Sequence, residues 1–397
     1  MRILFLAHSF PRSPEDPVGS FVLRLAAALR PLGTEVLAIA PAAQGLPPRA
    51  VIDGVAVERF RYAPRRFETL AYSGTMRHQV RASWAGRAAM LSFLAGDFCK
   101  GLQSRRRYRA ELIHAHWWYP GGLVGSWLKR WWRIPLVTTL HGSDLRAAQS
   151  VAVARPLFRH VLRRSDRVTV VSQWLADGVT ALAPTAHPAV APMPVLPDLF
   201  SPPSSPGGSR PRNRLLFVGK LNEQKGIGAL LHALAQMRAK PTVDVVVGVG
   251  SSPEDVRPLA DSLGVASQLR WYPLLAQTEL AQRYREATAL VAPFRDEGLG
   301  LVAIEAQLSE APVVGFRSGG LTDIVVHERT GLLVPLGDPG AEGAALAAAL
   351  DRLLALPDQG AEWGREGRRH ALAIFAPEAT ARRYLEIYRE ALEPRRP

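Results

Sequence analysis

The chain has 397 residues, 47% hydrophobic and 21% charged, with 49 lysines and arginines against 35 acids for a net charge of +14. These proportions exclude a disordered or fibrous polymer, and the length exceeds one ordinary core, so two domains are expected. No apolar run approaches the ~20 residues of a membrane-spanning helix. The single cysteine, Cys99, rules out an intrachain disulfide and agrees with a reducing cytoplasm. The basic surplus favours anionic partners: phosphates, nucleic acid or an anionic membrane surface.

The opening "MRILFLAHSFPRSPEDP" carries an apolar run too short for a signal peptide and reads as a first strand and loop. A helix follows from about Ser20, then "EVLAIAP", "ELIHAHW", a helix through "GGLVGSWLKRWW", "PLVTTL" and "RVTVVS". This alternation predicts βαβ units around a parallel sheet over residues 1–197. The basic run "RRRYR", Arg105 to Arg109, lies in a long helical stretch without the interleaved aromatics of a nucleic-acid module. It reads as a solvated helix end, and nucleic acid is not an expected partner. With Lys129 to Arg133 it also offers a place for peripheral docking on anionic lipid.

The stretch "MPVLPDLFSPPSSPGGSRPR", Met193 to Arg212, is rich in Pro, Ser and Gly and predicts a linker, placed at 198–212. Strand candidates then resume with "RLLFVG", "VDVVVGVG", "LRWYP", "ALVAPF" and "PVVGF", predicting a second doubly wound sheet over 213–375. The terminal stretch, 376–397, contains an amphipathic helix with Ala379, Tyr384, Ile387, Tyr388 and Leu392 available for one face. It is a candidate to pack back on the first domain. The expected architecture is α/β, two Rossmann-like doubly wound domains facing across a cleft, with ligands at the carboxyl ends of the strands.

Two loops of the second half carry the chemistry. In "FVGKLNEQKGIGALLHA" a strand ending at Val218 leads through Gly219, Lys220 and Lys225 to Gly226 and a helix. Glycines let backbone amides approach an anion, the helix N-terminus offers free N–H groups, and lysines add charge. The pattern is not a Walker A sequence. In "DEGLGLVAIEAQLSE", Gly298 and Gly300 precede a second helix, and Glu297 and Glu305 stand eight apart. A helix beginning near Gly300 puts Leu301, Glu305 and Leu308 at i, i+4 and i+7 on the face expected to be buried. A carboxylate there needs a donor. Sugar hydroxyls at the two ends of a nucleotide sugar, or protein cations, can supply one.

"VGKLNEQKG", "APFRDEGLGLVAIEA" and "PVVGFRSGGLTDIVVHERTGLLVPLGD" resemble the C-terminal domain of the retaining GT-B glycosyltransferases of family 4. "PVGSFVLRLAAALRPLGTEV", "IHAHWWYPGG", "LVTTLHGSDL" and "VTVVSQWLADGV" resemble that family's first domain in order and spacing. The resemblance implies transfer from a nucleoside diphosphate sugar to a hydroxyl acceptor on a glycan, glycolipid or small molecule, with no metal or other cofactor. It implies that Glu297 contacts the donor sugar, Glu305 the ribose, and Lys220 with Lys225 the diphosphate. It places His141 of "LHGSD" beside the sugar and Gly19 in a loop closing on the phosphate. His116 and Asp144 are weaker acceptor-side candidates. Leu299 stands where many relatives have Phe, Lys220 where Arg is commoner, and Asp323 where Glu is usual.

His114 and His116, alternating onto one strand face, could form a three-histidine metal site with His141, but a strand-end pair lining the cleft suffices. "VGVGSS", Val247 to Ser252, reads as cleft backbone near the nucleotide. Trp117, Trp118, Trp127, Trp131 and Trp132 could form a sugar platform or membrane anchor, although core packing is expected for most. A nucleotide-sugar epimerase and a non-catalytic nucleotide-sugar or glycan-binding subunit are the rival functions.

Overall fold

The computed structural model describes residues 1–72, 76–202 and 213–393; residues 203–212 of the expected linker lie outside them. The chain forms two α/β units, one made of Met1–Pro194 with Pro377–Pro397, the other of Val195–Ala376. Phe200, within the expected linker stretch, is fully buried in the second unit with its ring edge-on to Tyr284.

The first unit holds strands β1 (Arg2–Leu6), β2 (Glu35–Pro41), β3 (Arg49–Ile52), β4 (Val55–Phe60), β5 (Leu112–His116), β6 (Leu136–Leu140), β7 (Arg167–Val170) and β8 (Ala189–Val190). They lie in the order β3-β4-β2-β1-β5-β6-β7-β8, parallel except for the β3–β4 hairpin. Ile3 to Leu6 and Leu136 to Leu140 are buried without alternation. A sheet covered on both faces selects such continuous apolar runs. Helices α1 (Ser20–Leu29), α2 (Trp84–Tyr108), α3 (Leu123–Trp132) and α4 (Ser143–Ser150) belong to this unit. Strand order reverses at β1, so the loops after β1, β5 and β6 surround a topological switch point.

The second unit holds β9 (Arg214–Gly219), β10 (Thr242–Val247), β11 (Leu269–Tyr272), β12 (Ala289–Ala292), β13 (Val313–Phe316) and β14 (Gly331–Val334), in the order β11-β10-β9-β12-β13-β14 and parallel throughout. β9 thus runs one residue beyond the expected end at Val218. Its helices include α5 (Ile227–Gln236), α6 (Gln277–Glu286) and α7 (Leu301–Leu308). Order reverses at β9, so the loops after β9 and β12 flank the switch point. Those are the two loops that carry the lysines and Glu297.

The last helix, α8 (Pro377–Leu392), belongs to the first unit. Tyr384, Ile387, Tyr388 and Ala391 repeat at i, i+3, i+4 and i+7 and are buried. Leu392, expected on that face, is exposed instead: at about 100° per residue it lies about 80° around the helix from Tyr384, at the margin of the buried stripe. Tyr388 Oη lies 2.8 Å from His114 Nδ1, and Tyr384 Oη donates to the Ala191 carbonyl at 2.9 Å. Among the described residues no helix is long and apolar enough to cross a membrane.

Candidate active site

In the second unit the loop after β9 is built to turn back on itself. The Asn222 side chain accepts from the Lys225 N–H at 3.0 Å, and Gly226 then takes a left-handed φ of 70° as N-cap of α5. A Cβ at Gly226 would lie 1.9 Å from the Pro293 carbonyl oxygen, so only glycine lets this loop lie against the one after β12. The Arg295 N–H donates to Gln224 O at 2.8 Å across the same junction. Among the described residues no side chain caps α5, so its first amides remain available to an anion.

Lys225 reaches across this junction. Its ammonium lies 2.9 Å from Glu297 Oε2 and 4.3 Å from the centre of the Phe294 ring, while Gln224 Nε2 donates to the same oxygen at 3.2 Å. Glu297 is therefore a held carboxylate rather than a free surface charge. Lys220 is exposed. The loop after β10 is stitched beside it: Gly248 N–H donates to Gly219 O at 2.8 Å, and the Leu221 N–H donates to Ser251 Oγ at 3.1 Å. "VGVGSS" thus supports the Gly219–Lys220 backbone.

Gly300, with φ 93°, is the N-cap of α7, which also starts without a side-chain cap. The turn before it rests on Ser318–Gly319–Gly320. Ser318 Oγ accepts from the Asp296 N–H at 3.1 Å, and the Gly320 N–H donates to Glu297 O at 2.7 Å. Gly319 has φ 60°, and a Cβ there would stand 2.5 Å from Glu297 O. Gly298 and Leu299 meet Gly320 so closely that a Cβ on Gly320 would lie 2.5 Å from Gly298 O.

One turn into α7, Glu305 is buried, as is Leu308, with Leu301 half-buried. Glu305 Oε2 accepts from the hydroxyl of fully buried Tyr284 on α6 at 3.1 Å. A neutral hydroxyl is thus one donor that the protein supplies to this carboxylate. Burial, reinforced by the Glu305 charge, pushes the Tyr284 phenol well above its ordinary range. It therefore keeps its proton and donates it to Glu305.

In the first unit, His141 follows β6 in a turn organised by Asp144. Asp144 Oδ1 accepts from the N–H groups of His141, Gly142 and Leu145 at 3.1, 2.9 and 3.0 Å, while its buried Oδ2 has no partner among the described residues. Burial pushes the Asp144 carboxyl up to about 6 against those stabilising amides. His141 stacks on His116, with ring centres 5.3 Å apart, and also faces Trp117 at 4.6 Å and Phe21 at 5.0 Å. Burial first, then neighbouring imidazoles, hold both rings far below the usual range and hence neutral.

His116 Nδ1 and His141 Nε2 are 3.1 Å apart, and buried His116 Nε2 has no partner among the described residues. A stranded lone pair costs less than a stranded N–H. We therefore assign the proton to His116 Nδ1, which leaves His141 protonated on Nδ1. His114 does not line a cleft as expected. Its Nε2 is 2.6 Å from Thr139 Oγ1 and its Nδ1 meets Tyr388, so both nitrogens are engaged in the core and cannot join a metal site with His116 and His141. Among the described residues no group of three His, Cys, Asp or Glu side chains is arranged to hold a metal ion.

Gly19, with φ 72°, is the N-cap of α1, where a Cβ would lie 2.2 Å from Ser9 O. Trp117, Trp118 and Trp132 are buried, the Trp118 indole donating to Asp144 O at 2.9 Å, whereas Trp127 and Trp131 are exposed. Sequence reasoning missed Gln224, Tyr284 and the Ser318–Gly320 support. Only the adjacent glycines of "SGG" left a readable trace.

Residues 18–194 match the glycosyl transferase 4-like domain and residues 206–370 the glycosyl transferases group 1 domain. A D-inositol 3-phosphate glycosyltransferase from Segniliparus rotundus is 35% identical over 332 residues, covering 76% of this chain and 71% of the relative. Sucrose-phosphate synthase from Thermosynechococcus elongatus shares the fold over 98% of each chain with a TM-score of 0.77 at 23% identity. Anabaena HepE, solved in complex with UDP, does so over 98% of this chain and 99% of its own with a TM-score of 0.73 at 18% identity.

Proposed function

Because the chain belongs to the group 1 glycosyl transferases, we propose that this glycosyltransferase takes its sugar from a nucleoside diphosphate donor and passes it to a hydroxyl acceptor with retention and without a metal ion. One observation carries the donor assignment. Lys225 and Glu297 are locked together where α5 and α7, both uncapped, begin at the switch point of the second sheet. Amide donors and an ammonium suit the diphosphate, and a carboxylate suits sugar hydroxyls. HepE, with UDP bound, supports the same choice of leaving group.

In this reading the amides at the start of α7, Lys225 and exposed Lys220 stabilise charge as the bond from the anomeric carbon to the diphosphate oxygen breaks. The acceptor oxygen bonds to that carbon on the same face, and its proton passes to the departing diphosphate. No protein nucleophile is required. Glu297 supports the sugar as positive charge develops at its anomeric carbon, and Glu305, oriented by Tyr284, holds the ribose. His141, neutral with an N–H on Nδ1, contributes one oriented donor to the transfer.

The test is a panel of UDP-, GDP- and ADP-sugars followed for nucleoside diphosphate release with and without acceptors, beginning with D-inositol 3-phosphate, the compound in the relative's name. Acceptor-dependent release, with the product keeping the donor's anomeric configuration, supports the proposal. Conversion of the donor without acceptor would identify an epimerase, and binding without turnover a non-catalytic subunit.

A further inference from the structure

The net charge of +14 is not shared between the two units. The first has 31 lysines and arginines against 15 acids, +16, and the second 18 against 20, −2. Within the first unit the charge borders an apolar groove. Helix α2 carries Trp84, Leu91, Phe98 and Arg105 at seven-residue intervals, a stripe that drifts only slowly around a helix. Trp84 is 81% exposed and Leu91 70%.

Helix α3 runs beside that stripe and presents Trp127, Arg130 and Trp131 at i, i+3 and i+4. Trp131 is 70% exposed. Leu91, Phe98, Trp127 and Trp131 line a groove of about 430 Å³ in which the Phe98 and Trp127 rings meet edge-on at 6.0 Å. Large apolar side chains gathered on a rim of charge mark an interaction site.

Arg130 lines both this groove and a second recess of about 670 Å³. The recess adds Lys129, Arg133, Arg164 and Arg167. Lys129 pairs with Asp166 at 2.5 Å and Arg167 with Glu390 at 3.2 Å, whereas Arg130, Arg133 and Arg164 have no ion-pair partner among the described residues. Asp166, Glu390 and Glu393 also line the recess, so its five cations outnumber its three carboxylates. Such a cationic surplus beside exposed tryptophans has the composition of an interfacial surface, with cations for headgroup phosphates and indoles for the headgroup–acyl boundary.

We propose that this face of the first unit docks on an anionic lipid leaflet, with Trp84, Leu91 and Trp131 entering the interface and Arg130, Arg133 and Arg164 holding lipid phosphates. A leaflet matches both halves of the surface, supplying acyl carbon to the groove and phosphate oxygen to the recess. A second copy of this chain matches only the groove, since a self-complementary contact would bring the arginine rims together.

The test is co-sedimentation of the full chain with phosphatidylcholine vesicles, with and without phosphatidylglycerol, at low and high salt. Binding should require phosphatidylglycerol and weaken as salt rises. Arg130→Ser with Arg133→Ser should weaken it about thirtyfold, from roughly fivefold per basic side chain near the surface. Trp84→Ser with Trp131→Ser should leave only weak, salt-sensitive binding. Both variants change exposed side chains, so melting temperature and turnover on a water-soluble acceptor should match wild type. Absence of binding to anionic vesicles at low salt, equal binding to neutral ones, or wild-type binding by either variant overturns the proposal. So does a wild-type dimer that the tryptophan variant abolishes, which would make the groove a contact between copies.

Discussion

Glu297 and Glu305 should fail in different ways when each is changed to Gln. Glu305 accepts from the Tyr284 hydroxyl at 3.1 Å, and a Gln oxygen can still accept that bond, so the fold should survive. What is lost is the charge on the hydrogen bond to the ribose, worth about 1.5–3 kcal/mol, or roughly 10- to 150-fold in nucleotide affinity. Because the ribose is remote from the reacting carbon, the ground and transition states lose it equally, and the donor KM should rise with kcat little changed.

Glu297 is tied to Lys225 at 2.9 Å, with both side chains about one-fifth exposed. At an effective dielectric of ~20 the gross attraction is about 6 kcal/mol, most of it cancelled by desolvation. The net contribution of such a pair is about 1 kcal/mol or less, so Glu297→Gln should melt close to wild type. Freed from its carboxylate, Lys225 should hold nucleoside diphosphate at least as well as before, while kcat falls because positive charge on the sugar loses its support. Isothermal titration with free nucleotide, alongside steady-state kinetics, separates the two. If Glu305→Gln binds nucleotide normally, or if Glu297→Gln loses affinity and turnover in equal measure, the assignment of opposite donor ends is wrong.

Three further outcomes are expected. Gly319→Ala, at φ 60° with its Cβ 2.5 Å from Glu297 O, should cost about 1–3 kcal/mol and disturb the Glu297 turn; a donor KM like that of wild type would show that the turn does not need this support. Asp97, buried on α2 with Oδ1 unpartnered among the described residues, is pushed by desolvation up to about 8 from 3.8. Its raised folded pKa means that stability is fully present below the unfolded value and lost as pH rises through the folded one, by up to about 1.4 kcal/mol per pH unit between them. Asp97→Asn should therefore gain on wild type as pH rises across that window, and parallel unfolding profiles would exclude the linkage. Finally, EDTA should leave turnover intact, because lysines and helix amides are assigned the charge that a cation would neutralise; activity lost to chelation and restored by manganese would reverse that assignment.

What was legible in the sequence follows the range of the interactions. Central strands such as Ile3–Leu6 announced themselves because burial on both faces demands unbroken apolar runs. Glu305 announced itself because a carboxylate among leucines on one helical face requires a partner. The identity of that partner was hidden, since Tyr284 lies 21 residues away on another helix and nothing local marks it. His114 and His116 do share a strand face, but in a sheet covered on both sides a shared face says nothing about a cleft. What fills the space beside His114 is Tyr388, 274 residues later. Lys220 and Lys225 look alike on paper, and only the turn ending at Gly226 aims the second at Glu297.

The return of α8 to the first unit bears on how the protein is made. Residues 195–376 emerge from the ribosome between the two segments of that unit, so its sheet must wait for the whole second unit to be synthesised before Tyr384 and Tyr388 arrive. Until then the His114 ring and the apolar surface beneath the helix face water. Val195–Ala376, contiguous in the chain, can complete its own core first. Nascent chains halted before Pro377 should consequently keep the first unit open to proteases and holdase chaperones while the second is already resistant, an inversion of the usual N-terminal-first order of folding during synthesis.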